Sequence, residues 1–392
     1  MQMPKTTGKI TAPARQQFEG LAIYSDEREA LVVENCNDAL HLYYPDKLAK
    51  QVKLFLSGFK GDCLYAVKTN PHPAILKHLW MLGVRRFEVA SRREVAFVLE
   101  LLPDAELYFM HPVKSRQAIR DAYERGVRVF AYDSADELRK IEEETDHAID
   151  LNLFLRLRVD QTTAAHPLND KFGASMSEAP LLLQRAARSA SCLGLTFHVG
   201  SQCMDPASYV LAIDQLAEML ETSGCRIECL DVGGGFPVSY PGMEPPELSC
   251  YFSAIHSALA NIGMGDISLL CEPGRALVAE AGSVAVRVEM RKGHMLYLND
   301  GTYGALFDAG ASAWPYPLQV VQQDMSAGQE KHSDFKFFGP TCDSLDVMEG
   351  PFSLPDTIRE GDWIIFHHLG AYGYSMQTRF NGFYSDNIVA IS

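Results

Sequence analysis

Between residues 62 and 272 the sequence alternates eight short runs rich in Val, Leu, Ile, Phe and Tyr with segments of helix length. The runs are CLYAV from Cys63, RFEVA from Arg86, ELYFM from Glu106, RVFAY from Arg128, LNLFLRLRV from Leu151, LGLTFHV from Leu193, RIECLDV from Arg226 and ISLLCEP from Ile267. Most lack strict apolar–polar alternation, which suits strands covered on both faces in a parallel sheet. Asp46 to Phe59, Ser115 to Glu124 and Ser134 to Glu144 read as helices, and Ser134 with Glu137 makes a capping-box pattern. Eight strands with intervening helices predict an α/β fold, a (β/α)8 barrel over residues 37–277. A doubly wound sheet is the structural alternative.

After residue 278 the texture changes. SVAVRVEM, HMLYLND, FKFFG, DWIIFHH and NIVAI are strand-like runs separated by Gly, Pro and Asp turns. They predict a mainly antiparallel β-domain over 278–392, joined by residues 1–36, with LVVEN (31–35) or LHLYY (40–44) entering it. MSAGQEKHSD, 325–334, is polar and reads as a mobile loop. The formal charge of −15 repels phosphate backbones and argues against nucleic-acid partners, while tolerating a cationic small molecule. Nine scattered cysteines without a CxxC pair suggest neither a disulfide framework nor a zinc site. The start, MQMPKTTGKITAPARQQFEG, has no apolar core, and no run approaches the length of a membrane span. The expectation is a soluble protein of a reducing compartment, the cytoplasm, with no metal.

Unusual residues gather at the C-terminal ends of the expected barrel strands, where such barrels assemble active sites. Lys68 ends the first, Glu88 and Ser91 lie near the second, Arg156 is in the fifth and His198 closes the sixth. Gly233, Gly234 and Gly235 follow the seventh, and Glu272-Pro273-Gly274-Arg275 follows the eighth. Consecutive glycines present backbone N–H groups to an anion, and Arg275 with Ser201 could bind the same anion, although GGG alone is as readily a tight turn. No Walker motif or strand-linked GxGxxG is present, so the anion is not expected to be a nucleotide phosphate. Lys68 at a buried strand end is either a salt-bridged structural residue or a Schiff-base lysine. His198 and Cys342, each alone, are more often packed core residues than catalytic groups.

Taken together, YAVKTNP, KFG at Lys171 to Gly173, HVGSQ, DVGGGFP, EPGR, GPTCDSLD and GAYGYSMQTRFNGF occur in the order found in fold-type III pyridoxal-phosphate decarboxylases. The chain resembles the ornithine/lysine/diaminopimelate group of that family over nearly its whole length. The resemblance implies an alanine-racemase-like barrel, a C-terminal β-domain and a head-to-tail homodimer. It implies that Lys68 holds pyridoxal 5'-phosphate, His198 stacks on its ring and Glu272 meets the pyridine nitrogen. Ser201, Gly233, Gly234, Gly235, Gly274, Arg275 and Tyr372 match the phosphate cradle, and Glu88 and Arg156 match further cofactor contacts. Cys342 and Asp343 match a loop that serves the other subunit's site, the cysteine protonating the substrate carbon after CO₂ leaves and the aspartate meeting a distal ammonium. Asp308 resembles a second acid near that ammonium.

Substrate signals are mixed where cofactor signals are uniform. Glu88 stands where ornithine enzymes usually carry Asp, GAYGYSM is similar to the diaminopimelate enzymes, and Cys342-Asp343 points back to the ornithine group. The resemblance implies decarboxylation of a basic L-amino acid, ornithine or lysine, to a diamine. The alternatives are meso-diaminopimelate, arginine or a carboxylated polyamine or siderophore intermediate as substrate, an amino-acid racemase, or an inactive regulatory homologue.

Overall fold

The computed structural model describes residues 17–159, 164–166, 171–312, 314–323 and 331–392. The eight apolar runs form one closed barrel of parallel strands: Asp62–Ala66, Arg86–Val89, Glu106–Phe109, Val129–Tyr132, Asn152–Arg156, Cys192–Thr196, Cys229–Asp231 and Ser268–Cys271. Successive strands pair in sequence order, and the last closes on the first with Cys271 opposite Cys63. A doubly wound sheet would leave two open edges; closure leaves none, so the barrel expectation holds.

Local chemistry starts the intervening helices. Ser91, Ser115 and Ser134 cap Arg92–Leu101, Arg116–Glu124 and Ala135–Glu144, each hydroxyl accepting the N–H three residues on at 3.2–3.3 Å. Such a cap stabilises by about 1 kcal/mol. The capping box expected at Ser134 forms only in half. The Glu137 carboxylate turns away to accept the Lys114 N–H at 3.0 Å and to pair with the Lys114 ammonium at 2.9 Å. Both side chains are buried, and an enclosed ammonium without a carboxylate would cost more than the lost half-cap. The Lys114 amine is nonetheless pushed down to about 8, burial outweighing Glu137.

The barrel interior divides into two levels. Leu64, Met110, Val129, Ala131, Phe154, Cys229 and Leu270 form an apolar plug. Gly194 makes room for it, since a Cβ there would lie 2.6 Å from the Phe154 ring. Above the plug the buried side chains are polar: Glu88, Thr196, Asp231 and Glu272. Apolar side chains seal the bottom and helices wall the sides, so the polar level opens only at the C-terminal strand ends.

Among the described residues the second sheet has ten strands. Its long member, Gly282–Lys292, pairs antiparallel with Leu40–Tyr43, Trp363–His367 and Met295–Leu298. Leu318–Val321 pairs with Trp363–His367, and Val347–Pro355 with His332–Phe338; neither Leu318–Val321 nor Val347–Pro355 was anticipated. Some pairings are parallel, among them Ile388–Ile391 with both Leu40–Tyr43 and Leu21–Tyr24. Of the two N-terminal candidates LHLYY joins this sheet, whereas Leu31 to Glu34 of LVVEN lie in the helix Glu27–Glu34, capped by Asp26. The strand Leu40–Tyr43 falls inside the 37–277 range assigned to the barrel, yet its ladder bonds are to the other sheet. Of the loop expected at 325–334, residues 325–330 lie outside the described residues, and His332 onward is strand. Among the described residues no helix is long and apolar enough to cross a membrane.

Candidate active site

A cavity of about 470 Å³ opens at the C-terminal ends of the barrel strands. Its wall contains Lys68, Glu88, Arg156, His198, Ser201, Gly234, Gly235, Glu272, Gly274, Arg275 and Tyr372, so almost every expected cofactor-site residue is brought to one place. Gly233 sits immediately behind, its carbonyl accepting the Glu272 N–H at 2.8 Å.

Lys68 lies in the 3₁₀ turn Val67–Thr69 that ends the first barrel strand. Its ammonium donates to Glu88 Oε2 at 3.1 Å, and its side chain is 48% exposed where the cavity opens. Burial works against the charge, but the Glu88 and Glu272 carboxylates outweigh it and raise the amine's pKa. Glu272 follows the eighth strand and is buried, with Oε1 lacking any partner among the described residues. Its pKa lies well above the carboxyl range, first because it is buried and then because Asp231 and Glu88 repel a second negative charge.

His198 accepts the Gly200 N–H on Nδ1 at 2.9 Å, which leaves the proton on Nε2 and the ring neutral. Burial, Arg156 and Lys68 all push its pKa well below 6.5. The glycine run needs its glycines. Gly235 has φ +102° and a Cβ there would meet the Gly200 carbonyl oxygen at 2.4 Å; Gly233 has φ +69° and would meet the Phe197 oxygen at 2.1 Å. The backbone therefore passes closer to its neighbours, and to anything in the cavity, than a side chain would permit.

Arg275 begins the short helix Arg275–Val278 and is buried. Its guanidinium donates to Asp308 Oδ2 at 2.7 Å and Oδ1 at 3.2 Å, to Tyr240 at 3.1 Å and to Tyr316 at 3.3 Å, while Nε lacks a partner among the described residues. The ring of Tyr372 lies 4.9 Å from it, and Tyr372 is fixed by its N–H donating to the Thr69 oxygen at 2.9 Å. Asp308, expected beside a substrate ammonium, is thus closed into a two-point pair with Arg275 and does not line the cavity. The physical reason is that a guanidinium buried this deeply needs a carboxylate of its own.

Cys342 and Asp343 are likewise not on the wall of their own chain's cavity. Cys342 is exposed, its N–H donating to Asn381 Oδ1 at 3.1 Å, and Asp343 accepts from the Tyr303 hydroxyl at 2.7 Å and the Leu345 N–H at 2.9 Å. Their own loop is tied to Thr302 by Asp346, buried, which accepts from Thr302 and Thr341 through both backbone and hydroxyl groups at 2.7–3.1 Å.

Several residues went unassigned in the sequence. His111 and Phe172 face one another across the mouth, rings 5.1 Å apart, with Lys171 beside them. Phe172 and Lys171 stand in the noted KFG motif, but His111 gave no signal, because it lies in a loop after a strand that ends in apolar residues. Asp231 was visible only as a charged residue closing an apolar run.

Comparisons with known proteins agree with this geometry. The family described as pyridoxal-dependent decarboxylase, pyridoxal binding domain, matches residues 46–279. Ornithine decarboxylase of Mus musculus is 31% identical over 397 residues, covering 93% of this chain and 81% of that protein. The crystal structure of the Paramecium bursaria Chlorella virus arginine decarboxylase bound to agmatine superposes with a TM-score of 0.83 at 26% identity, over 93% of this chain and 98% of the other. The lysine/ornithine decarboxylase of Vibrio vulnificus complexed with cadaverine gives 0.79 at 29% identity, over 93% and 97%. With the barrel, the lysine-bearing turn and the glycine–arginine cradle in place, the chain belongs to the fold-type III pyridoxal-phosphate-dependent decarboxylases.

Proposed function

We propose that this enzyme removes the α-carboxylate of a basic L-amino acid, ornithine or lysine, to give a diamine. One observation carries the reading: the Lys68 amine, the Glu272 carboxyl and the glycine–arginine cradle all border a single closed-bottomed cavity. The residues fit pyridoxal phosphate. The Lys68 amine opens into the cavity, Glu272 Oε1 and Arg275 Nε are buried without partners among the described residues, and the chain at Gly233–Gly235 has no room for side chains. When bound, this cofactor supplies an electron sink for the pair left behind by departing CO₂.

The chain's own groups divide the remaining work. Lys68 would hold the cofactor covalently, with Glu88 keeping its amine in place. Ser201, Gly233–Gly235, Gly274, Arg275 and Tyr372 would bind the phosphate, and Asp308 would orient Arg275 for it. Glu272 would meet the ring nitrogen, Arg156 would sustain the negative charge there, and the neutral imidazole of His198 would offer a flat, uncharged face to the ring. A cationic substrate side chain suits a carboxylate, since an unpaired charge in a closed site is strongly disfavoured.

That carboxylate, and the proton returned to the substrate carbon, would come from a second copy of the chain through Asp343 and Cys342. Two facts support the arrangement. Both residues stand away from their own cavity, and around them Leu345, Phe380 and Phe383 are exposed, with Phe380 against Tyr303 at 5.2 Å. Such an apolar margin favours burial against a partner surface. A head-to-tail homodimer would bring the loop of each copy to the barrel mouth of the other. Among the described residues no disulfide joins any of the nine cysteines, which supports placing the enzyme in the cytoplasm.

A substrate panel of ornithine, lysine, arginine and meso-diaminopimelate, scored by CO₂ release at saturating cofactor, tests the reading. Release from ornithine or lysine is expected, with Lys68→Ala inactive. Turnover by Lys68→Ala, or loss of optical activity without CO₂, would overturn it.

A further inference from the structure

The two ends of the cofactor site come from different parts of the fold. Lys68 sits in the turn after the first barrel strand, whereas Tyr372 lies in a segment, residues 370–375, that follows Trp363–His367 of the second sheet. Asn70, two residues after Lys68 and 4% exposed, joins the two. Its Nδ2 donates to the Gly370 oxygen at 2.8 Å, and its Oδ1 accepts the His72 N–H of its own turn at 3.1 Å. The amide can take only this orientation, since turning it over would set oxygen against the Gly370 carbonyl and NH₂ against the His72 N–H.

The segment that receives this bond has to be held. Gly370 is wedged against the helix Arg275–Val278: its N–H donates to the Ala279 oxygen at 3.1 Å and the Gly282 oxygen at 3.0 Å, and a Cβ there would overlap the Val278 oxygen. Tyr372 has φ +64°, a left-handed conformation that residues with side chains rarely adopt and that persists where the surroundings impose it. Its N–H and the Ser375 hydroxyl both donate to the Thr69 oxygen, at 2.9 and 3.2 Å. Any residue at 69 would offer that carbonyl, so the side chain at 70 decides how firmly the segment is drawn to this register.

We propose that Asn70 is a positioning residue: its hydrogen bond to Gly370 fixes the span between the Lys68 amine and the Tyr372 end of the phosphate cradle. This deepens the function proposed above and rests on it. Asn70 does not line the cavity, so it acts through Gly370 and the Thr69 carbonyl alone. A fixed span favours an aldehyde that carries a phosphate at the matching reach over one that carries none.

The test compares pyridoxal phosphate with pyridoxal, which has the aldehyde but no phosphate, in the full-length protein and in Asn70→Ser. Serine keeps a hydroxyl that can accept the His72 N–H but is too short to reach Gly370. Absorbance titration is expected to show Kd for pyridoxal phosphate raised about tenfold, as for one lost buried hydrogen bond, and Kd for pyridoxal changed by less than about threefold. In the cofactor-free protein, hydrogen exchange at the Gly370 and Tyr372 amides should quicken about tenfold while helix Pro73–Met81 stays within about twofold of the wild type. If Asn70→Ser fails to fold, Asn70→Asp carries the same two measurements at pH 8, because it keeps the size and the acceptor for His72 and replaces the donor to Gly370 by an oxygen. Equal weakening of the two aldehydes, or Gly370 and Tyr372 amides that exchange as in the wild type, would overturn the proposal. A wild type that takes up neither aldehyde would instead count against the proposed function, and the exchange measurement would still decide the role of Asn70.

Discussion

Replacing Asp308 with Asn separates two roles for that acid. Arg275 and Asp308 are 5% and 13% exposed in their side chains, and the pair is bidentate. Removing one partner of a buried ion pair costs about 3–5 kcal/mol. Asn keeps the volume and one acceptor oxygen, and Tyr240 and Tyr316 still receive the guanidinium, so roughly 2 kcal/mol is the expected loss in the cofactor-free protein. The uncompensated guanidinium then attracts the cofactor phosphate more strongly, so pyridoxal phosphate should restore more stability to the variant than to the wild type. Denaturant unfolding with and without cofactor measures both quantities, and steady-state kinetics gives KM for the amino acid. The expected result is a destabilised apoprotein, a larger stabilisation by cofactor and a KM within about threefold of wild type, which corresponds to under 1 kcal/mol. A KM raised a hundredfold with unchanged apoprotein stability would refute the reasoning and return Asp308 to the substrate's ammonium.

Mixing inactive Lys68→Ala with inactive Cys342→Ala should restore about a quarter of wild-type activity, because half of randomly assembled dimers are mixed and each holds one intact site; no recovery after subunit exchange, checked by native mass spectrometry, would exclude shared sites. Gly235→Ala should weaken cofactor binding at least tenfold, read by absorbance titration, since the residue sits at φ +102° with a carbonyl oxygen 2.4 Å from the added Cβ. His41 is buried, its pKa lowered to about 4 by burial and by His72, so unfolded chains take up its proton first as pH falls. Its contribution to stability is intact above pH 6.5 and lost between 6.5 and about 4, amounting to roughly 3 kcal/mol. Denaturation curves for His41→Leu should show a shallower acid slope than the wild type.

Much of the fold was legible because its causes are local or periodic. Apolar runs without polar alternation mark strands covered on both faces, serine caps mark the helix starts between them, and that alternation admits few closed solutions. The catalytic end was legible for a related reason: strand ends in a parallel barrel share one face, so Lys68, His198, the glycine run and Arg275 had to converge there wherever the chain ran in between. Leu318–Val321 and Val347–Pro355 escaped notice because their pattern is interrupted by exposed and polar positions, and LVVEN misled because four consecutive apolar or acidic residues suit one turn of helix as well as a strand.

What only the tertiary structure decided is how charges are shared out. Nothing in YGALFDAG tells that Asp308 pairs with Arg275, thirty-three residues earlier. The capping pattern at Ser134 gave no hint that Glu137 is claimed by the Lys114 ammonium. Backbone preference and hydrophobic periodicity act over a few residues and are written along the chain, whereas the partner of a buried charge is selected by proximity and desolvation, which exist only once the barrel has closed.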